Sequence, residues 1–136
     1  MISQVEITLP SYARGYHIIT HIINDRLKNL PKQGLANIFI KHTSAAITIN
    51  ENADPSVTVD FENFMKKLIP DGDSIFTHTL EGDDDMAAHI KSSCIGQSLT
   101  IPITDYKLNL GTWQGIYLCE FRNRGGNRKL VITIYN

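Results

Sequence analysis

The sequence predicts a single α+β domain spanning residues 1–136, with roughly eight strands and three helices. A chain of 136 residues, 42% of them hydrophobic, can build one core but is short for two domains. Apolar and polar residues alternate near both ends of the chain, as in strands, whereas the middle has segments with helical spacing. No internal repeat, linker or low-complexity tract interrupts this order.

The first quarter of the chain predicts two strands and a helix. Residues alternate from Ile2 to Leu9, and a second short strand is expected from Tyr16 to Ile19. Thr20 is a typical N-cap, and the apolar residues of the segment from His21 to Leu30 fall on one helical side. Pro31 then ends the predicted helix.

The next segment predicts two strands followed by a longer helix. The strands are expected from Leu35 to Lys41 and from Ala45 to Ile49. Asp54 and Pro55 form a helix start, because aspartate caps the first turn and proline tolerates the first helical position. Pro70 stops this helix. Its predicted apolar side comprises Val57, Phe61, Phe64, Met65 and Leu68.

A third helix is expected to begin near Asp83 to Asp85, where carboxylates suit the positive end of the helix dipole, and to close at Gly96. Its predicted apolar stripe is Met86, Ile90 and Cys94. The remainder predicts strands, the last two joined by a turn through Gly125 and Gly126. These strands span 99–103, 107–110, 115–122 and 129–135.

Composition excludes several classes of protein. The formal charge of −1 argues against a dedicated nucleic-acid binder, which normally needs a basic face. No apolar stretch approaches the roughly 20 residues that a membrane-spanning helix needs, and no leader-like pattern follows Met1, so we expect a cytoplasmic protein without a membrane partner. Cys94 and Cys119 lack metal-type spacing and are expected to be buried thiols.

Histidines and carboxylates concentrate in two places. His42 lies between two predicted strands, and the segment from His78 to His89 has four carboxylates in the five positions 81–85. Asp85 and His89 are one helical turn apart, so the carboxylate can orient the imidazole for metal binding or proton transfer. So many carboxylates repel one another unless a cation or a basic side chain lies among them. A solvated acidic loop would have the same sequence pattern.

A second concentration of unusual residues surrounds the only tryptophan. Gly111 and Gly115 flank Trp113 and Gln114, which suggests a hairpin turn supporting a buried tryptophan, or a binding site.

On the following strand Glu120 and Arg122 continue an apolar face, where Arg122 could pair with Glu120 or bind an anion. Arg124 and Arg128 are expected to be solvated.

Three long motifs together closely resemble the YjbQ family, also called UPF0047. They are HTSAAITINENADP at 42–55, HTLEGDDDMAAHIKSS at 78–93 and LGTWQGIYLCEFR at 110–122. The resemblance implies a cytoplasmic homotrimer with an α+β fold whose mainly antiparallel sheet curls into a barrel-like sandwich. It also implies a weak or secondary thiamine-phosphate synthase activity, which joins a pyrimidine methyl diphosphate to a thiazole phosphate.

Carried onto this sequence, the motifs indicate three groups of site residues. The expected catalytic residues are His42, His78, His89 and Glu81. The expected substrate-binding residues are Asn50, Glu51, Lys91, Trp113, Gln114, Glu120 and Arg122. The expected metal ligands are His42, His78, His89, Asp84 and Asp85.

Three functions fit these residues. In a synthase, Mg²⁺ held by Glu81, Asp84 and Asp85 would neutralise the diphosphate. Lys91 and Arg122 would contact phosphate. In a hydrolase, His42, His78 and His89 would hold Zn²⁺ while Glu81 or Glu51 activates water. In a non-catalytic trimer, clefts between subunits would bind a small phosphorylated or anionic ligand. A divalent metal, Mg²⁺ or Zn²⁺, is the only cofactor expected, and no organic cofactor is.

Overall fold

The computed structural model describes all residues from 1 to 136 and contains eight strands and three helices. The strands are β1 (Ile2–Thr8), β2 (Gly15–Ile18), β3 (Gln33–Ile40), β4 (Ala45–Glu51), β5 (Ser98–Thr104), β6 (Lys107–Leu108), β7 (Gln114–Glu120) and β8 (Lys129–Tyr135). The helices are α1 (Thr20–Arg26), α2 (Pro55–Leu68) and α3 (Asp83–Ile95). None of the helices is long and apolar enough to cross a bilayer.

The strands form two antiparallel sheets that curl around a common core, as expected for this α+β class. One sheet has five strands in the order β1-β8-β3-β5-β6, and the other has three in the order β2-β7-β4. The main core lies between them and consists largely of aliphatic side chains from both sheets. The helices α2 and α3 cover the outer face of the three-stranded sheet and enclose a smaller aromatic core there.

The central strand β7 is buried on both faces because it separates the two cores. Ile116 and Leu118 point into the main core, and Tyr117 and Cys119 point into the smaller one. The predicted hairpin between the last two strands is therefore wrong. The strands β7 and β8 belong to different sheets, and residues 121–128 cross from one sheet to the other.

Gly125 allows a close backbone approach in this crossing segment. A Cβ atom there would overlap the carboxylate of Glu120. That carboxylate is fully buried and pairs with Arg128, whose Nε donates to Oε1 over 2.8 Å and whose Nη2 donates to Oε2 over 2.5 Å. Arg128 is only 4% exposed, so the expectation that it is solvated is wrong.

The predicted ends of the helices agree with the structure better than the predicted buried faces do. Asp54 caps α2 by accepting the backbone N–H of Ser56 over 2.9 Å, with Pro55 at the first helical position. The helix α1 is shorter than predicted and ends at Arg26, and Thr20 lies inside it, where its Oγ1 accepts the backbone N–H of Ile116.

Two predicted apolar faces differ from the observed ones. On α2, Met65 is buried, but Phe64 is 64% exposed. Leu68 is also exposed, at 61%. The helix α3 buries its small residues Ala87 and Ala88 instead of the predicted stripe, and Cys94 on that stripe is exposed. Small side chains are the ones that let α3 lie close against the neighbouring strand β4.

Candidate metal centre

The start of α3 and the loop before it hold the predicted acidic and histidine-rich segment. Gly82 precedes the helix with a φ of 108°, a conformation that glycine adopts without strain. Three aspartates then occupy the first helical turn. Because Asp85 and His89 lie four residues apart on α3, their side chains lie on the same side of the helix, next to His78 of the loop.

His78, Asp85 and His89 form a compact trio of metal-binding groups. The Nε2 atoms of His78 and His89 lie 2.8 Å and 3.0 Å from the same oxygen, Oδ2 of Asp85. The two imidazole rings are tilted by 43° with their centres 5.5 Å apart. All three potential ligand atoms lie within 4.8 Å of one another. Ligand atoms around tetrahedral zinc lie about 3.3 Å apart, so small side-chain shifts would seat such an ion.

The backbone of Thr43 fixes which nitrogen of His89 faces the trio. Nδ1 of His89 lies 2.9 Å from the carbonyl oxygen of Thr43. Because a carbonyl oxygen only accepts hydrogen bonds, Nδ1 carries a proton and donates it. Nε2 then either holds a second proton, donated to Asp85, or directs a lone pair toward a cation. Histidine ligands of metal ions are commonly oriented by such a second hydrogen bond.

Arg122 neutralises part of the acidic helix start. Its Nε donates to Oδ2 of Asp84 over 2.9 Å, and its Nη1 donates to Oδ1 of Asp85. Its Nη2 donates to the backbone oxygen of Glu81 over 3.0 Å. The guanidinium is thus bound by three groups of the chain itself. Arg122 is the basic side chain that reduces the repulsion between the crowded carboxylates.

The carboxylate of Asp85 keeps its charge in this setting. Burial alone would raise the pKa of Asp85, but the hydrogen bond from His78 and the charges of His89 and Arg122 outweigh it. The pKa therefore lies below its usual value, and the group is ionised at neutral pH. Oδ1 is held by Arg122 while Oδ2 faces both histidines, so one oxygen remains available to a cation.

His42 and Asp84, two other predicted ligands, lie outside the trio. Nε2 of His42 accepts the backbone N–H of Lys129 over 2.9 Å. Burial and the charge of Arg128 lower the pKa of His42, so its ring is neutral at neutral pH. Asp84 accepts hydrogen bonds from Arg122 and from the backbone N–H of Asn123. The structure thus gathers two of the three predicted histidines and one predicted aspartate.

Two residues predicted to contact substrate are buried in the protein. Glu120 is 0% exposed and is occupied by its ion pair with Arg128. Lys91 is also 0% exposed, with Nζ 4.0 Å from Oδ1 of Asp71 and without a hydrogen-bond partner. Neither side chain reaches a surface where a phosphate could bind, so both predictions are corrected by the fold.

Four other predicted binding residues meet at the opposite end of β4 and β7. Asn50, Glu51, Trp113 and Gln114 line an open groove of about 420 Å³ together with Ile49. Trp113 is 65% exposed, so of the two alternatives that the sequence left open, the buried tryptophan is wrong. The metal trio borders the other end of β4, next to Thr43. The strand β4 has seven residues, so its two ends lie six residue steps, or about 20 Å, apart.

Sequence reasoning missed two components of the site. The carbonyl of Thr43 orients His89, and its only signal in the sequence is its place beside His42. A cavity of about 250 Å³ adjoins His78, and no pattern predicted it. Its other lining residues are Gly72, Asp73, Ser74, Phe76, Thr79, Gly82 and Asp83.

Comparisons with known proteins agree with the resemblance carried by the motifs. The profile of the family described as "UPF0047 protein YjbQ-like" matches residues 5–136. The UPF0047 protein YjbQ of Salmonella typhimurium is 47% identical over 133 residues, which are 96% of each chain. The UPF0047 protein MJ1081 of Methanocaldococcus jannaschii is 54% identical over 104 residues, covering 76% of this chain and 72% of its own.

Solved structures show the same fold. The hypothetical protein APE1520 from Aeropyrum pernix K1 superposes with a TM-score of 0.87 at 26% identity, covering 98% of both chains. An uncharacterized conserved YjbQ/UPF0047 protein from Clostridium acetobutylicum gives a TM-score of 0.80 at 38% identity, covering 96% of this chain and 99% of that one. With sequence and structure in agreement over nearly its full length, the chain belongs to the YjbQ/UPF0047 family.

Proposed function

We propose that this protein binds a transition metal ion of the zinc type through His78, Asp85 and His89 and uses it in hydrolysis. The observation that carries the proposal is the approach of two Nε2 atoms to one aspartate oxygen, with His89 oriented by Thr43. A neutral His89 would direct its lone pair at a carboxylate oxygen 3.0 Å away, and a cation among these atoms removes that repulsion.

The donor set favours zinc over magnesium. Imidazole nitrogens suit zinc and similar ions, whereas Mg²⁺ prefers oxygen ligands in octahedral geometry. The magnesium site expected from the sequence would use Glu81, Asp84 and Asp85. Arg122 already binds one oxygen of Asp84 and one of Asp85, so part of the negative charge that would attract Mg²⁺ is neutralised by the chain itself.

The arrangement resembles a catalytic metal site in its ligand number. Three protein ligands leave a coordination position open, whereas structural zinc sites use four. When bound, such an ion supplies Lewis acidity and lowers the pKa of a bound water to about 7. Thr43 and Arg122 orient the ligands. Glu81, exposed in the loop before α3, is the candidate proton acceptor, and the cavity beside His78 is the candidate entrance for substrate.

We rank thiamine-phosphate synthesis second. It needs basic side chains to hold a diphosphate, and the two that were expected are otherwise engaged. Lys91 is buried, and Arg122 is bound to Asp84, Asp85 and the Glu81 backbone. The synthase therefore rests on the family resemblance alone.

The homotrimer is also a proposal. The loop between α2 and α3 exposes two large apolar side chains, Ile75 at 79% and Leu80 at 99%. Single exposed apolar side chains also occur on monomers, so the trimer rests on the family resemblance. Analytical ultracentrifugation of the purified protein should give three times the mass of the chain, and a monomer would refute this proposal.

Metal analysis of purified protein tests the main proposal. After dialysis against zinc, we expect one zinc per chain in the wild type and its loss in His78→Ala and His89→Ala. His42→Ala and His21→Ala should keep the metal, because His42 lies outside the trio and His21 is on the distant helix α1. Zinc binding that survives His89→Ala, or binding lost only in His42→Ala, would refute the proposed ligand set.

Activity distinguishes the three functions. With zinc loaded, we expect hydrolysis of simple phosphate or carboxylate esters, lost in His89→Ala and reduced in Glu81→Gln. Formation of thiamine phosphate that needs added Mg²⁺ and survives His89→Ala would instead favour the synthase. Zinc bound at the trio without any ester hydrolysis would mean that the protein binds metal but is not a hydrolase. That result would refute the proposed hydrolysis.

A further inference from the structure

We infer that a second site, separate from the metal centre, binds a small planar ring carrying a positive charge. It is a groove of about 480 Å³ between β2, the first turn of α1 and the segment that leads into α2. The lining residues used below are Tyr12, Tyr16, His17, Asn52, Asp54 and Tyr117. A volume of this size fits a ligand of one or two rings.

The aromatic walls of this groove are held in place by the core. The ring of Tyr16 stacks on Phe61 with centres 5.2 Å apart and meets the edge of Phe121 at 6.1 Å. The hydroxyl of Tyr117 donates to the backbone oxygen of Glu51. Tyr16 is 6% and Tyr117 1% exposed, so these fixed rings form a rigid floor of the groove and offer little open face to a ligand.

A stacked pair forms another part of the groove. The rings of Tyr12 and His17 lie 4.7 Å apart at 28°. Nε2 of His17 lies 2.6 Å from the carbonyl oxygen of Ala13 and donates to it, which fixes the ring. This half-buried pair presents the accessible aromatic surface of the groove, and flat rings favour such a surface over an aliphatic one.

The charge of the groove selects the ligand. Its lining contains no lysine and no arginine, and its only carboxylate is Asp54. Backbone and side-chain hydrogen bonds with Ser56 lower the pKa of Asp54, so it is ionised at neutral pH. One of its oxygens, Oδ1, accepts the Ser56 N–H, which leaves Oδ2 for a ligand donor.

Asn52 also presents an acceptor. Its Nδ2 donates to the backbone oxygens of Thr112 and Gln114, both over 3.2 Å, so Oδ1 is its free atom. A ligand that meets the acceptors of Asn52 and Asp54 needs donors, and the negative charge favours a cation. Aromatic rings add to this preference, because their faces attract cations.

Benzylamine is a suitable probe, with cyclohexylmethylamine testing the need for a flat ring and benzoate testing the sign of the charge. Amide chemical shifts of the protein, followed by NMR during titration, give both the site and the affinity. We expect benzylamine to shift the signals of Asn52, Ala53 and Ser56, cyclohexylmethylamine to bind more weakly, and benzoate not to shift them.

Two variants test the named groups. Asp54→Asn keeps an equally good helix cap but removes the charge, and it should weaken benzylamine binding about two- to fivefold. Tyr12→Leu keeps apolar bulk but removes the ring, and it should weaken binding about threefold. Tyr135→Leu, on the five-stranded sheet, is the matched control and should leave binding unchanged.

Equal binding of benzoate, unchanged affinity in Asp54→Asn, or shifts confined to other surfaces would each overturn the inference. A variant that fails to fold is recognised by its collapsed amide spectrum. In that case the comparison of the three probes on the wild type decides alone. Zinc analysis of the same samples separates this site from the metal centre, because Asp54→Asn should retain the metal.

Discussion

At the scale of single residues, Lys91 is the clearest case of a side chain whose role depends on its surroundings. It lies on α3, two positions after the candidate ligand His89, yet its ammonium group is enclosed by the smaller core. Nζ lies 5.8 Å from the centre of the Phe121 ring and has no hydrogen-bond partner. With no hydrogen bond and its nearest carboxylate oxygen, Oδ1 of Asp71, 4.0 Å away, this buried ammonium is poorly compensated and destabilises the folded state.

We therefore predict that Lys91→Met raises the free energy of unfolding by about 1 kcal/mol or more at neutral pH. Methionine keeps the length of the side chain and removes the buried charge. Asp71 retains its bidentate partner Arg14 in the variant. Urea denaturation measures the change. The exposed Lys67→Met is the control, expected to stay within about 0.5 kcal/mol, and a destabilised Lys91→Met protein would contradict the prediction.

The difference between wild type and Lys91→Met should also depend on pH. Burial, aided by the charge of Arg14, lowers the pKa of Lys91 from its ordinary value of 10.5. In the range between the folded and unfolded values, the unfolded state binds more protons, so the stability of the wild type rises with pH relative to the variant. The advantage of the variant should therefore shrink as the pH approaches 10.5.

At the scale of elements, α2 shows that helical spacing locates a helix better than it locates the buried face. Met65 is 8% exposed, and its neighbour Phe64 is 64% exposed. We predict that Met65→Ala lowers the free energy of unfolding by about 2–3 kcal/mol, since it opens a cavity in the smaller core. Phe64→Ala should change it by only about 0.5 kcal/mol or less. Urea denaturation of both variants checks this, and a similar loss in both would mean that α2 packs through Phe64 as well.

The helix α3 combines two functions along one element. Its first turn carries the aspartates that hold Arg122 and face the histidines, and its middle buries alanines against the sheet. Ser92 further anchors the helix by donating its hydroxyl to the backbone oxygen of Ala45 on β4, over 2.8 Å. The same packing brings Thr43, just before β4, to His89. The geometry of the candidate metal centre thus depends on how α3 lies on β4.

At the scale of the whole molecule, metal binding should appear as added stability. A ligand that binds only the folded state stabilises it by about 2.7 kcal/mol at a hundredfold excess over its dissociation constant. We predict that zinc raises the melting temperature of metal-free protein by several degrees at neutral pH. Differential scanning fluorimetry with zinc and with a chelator measures this. A comparable shift in His89→Ala would contradict the prediction.

The zinc-dependent stabilisation should be lost in acid. Imidazoles bind metal only without the competing proton, so zinc binding releases protons and weakens as the pH falls. The pKa of Asp85 is already lowered, so its carboxylate does not account for a loss of zinc above pH 5. The shift in melting temperature should therefore shrink between about pH 7 and pH 5. A shift of constant size over this range would point to ligands other than histidine.

Much of the local structure follows from short-range signals. Asp54 with Pro55 starts α2, and Gly96 ends α3, as their positions in the sequence predict. The pairing of Asp85 with His89 also follows from helical periodicity, because four residues make about one turn. Such features depend on residues that are neighbours along the chain.

The sequence by itself determined the fold class, the main elements, the family and the pairing within α3, because each is encoded locally or in long motifs. Only the tertiary structure decided that His78 and not His42 joins that pair, that Arg122 holds the aspartates, and that Lys91 and Glu120 are buried. These outcomes depend on which strand enters which sheet and on how α3 packs against β4. Contacts between residues far apart in the chain leave no periodic trace in a single sequence.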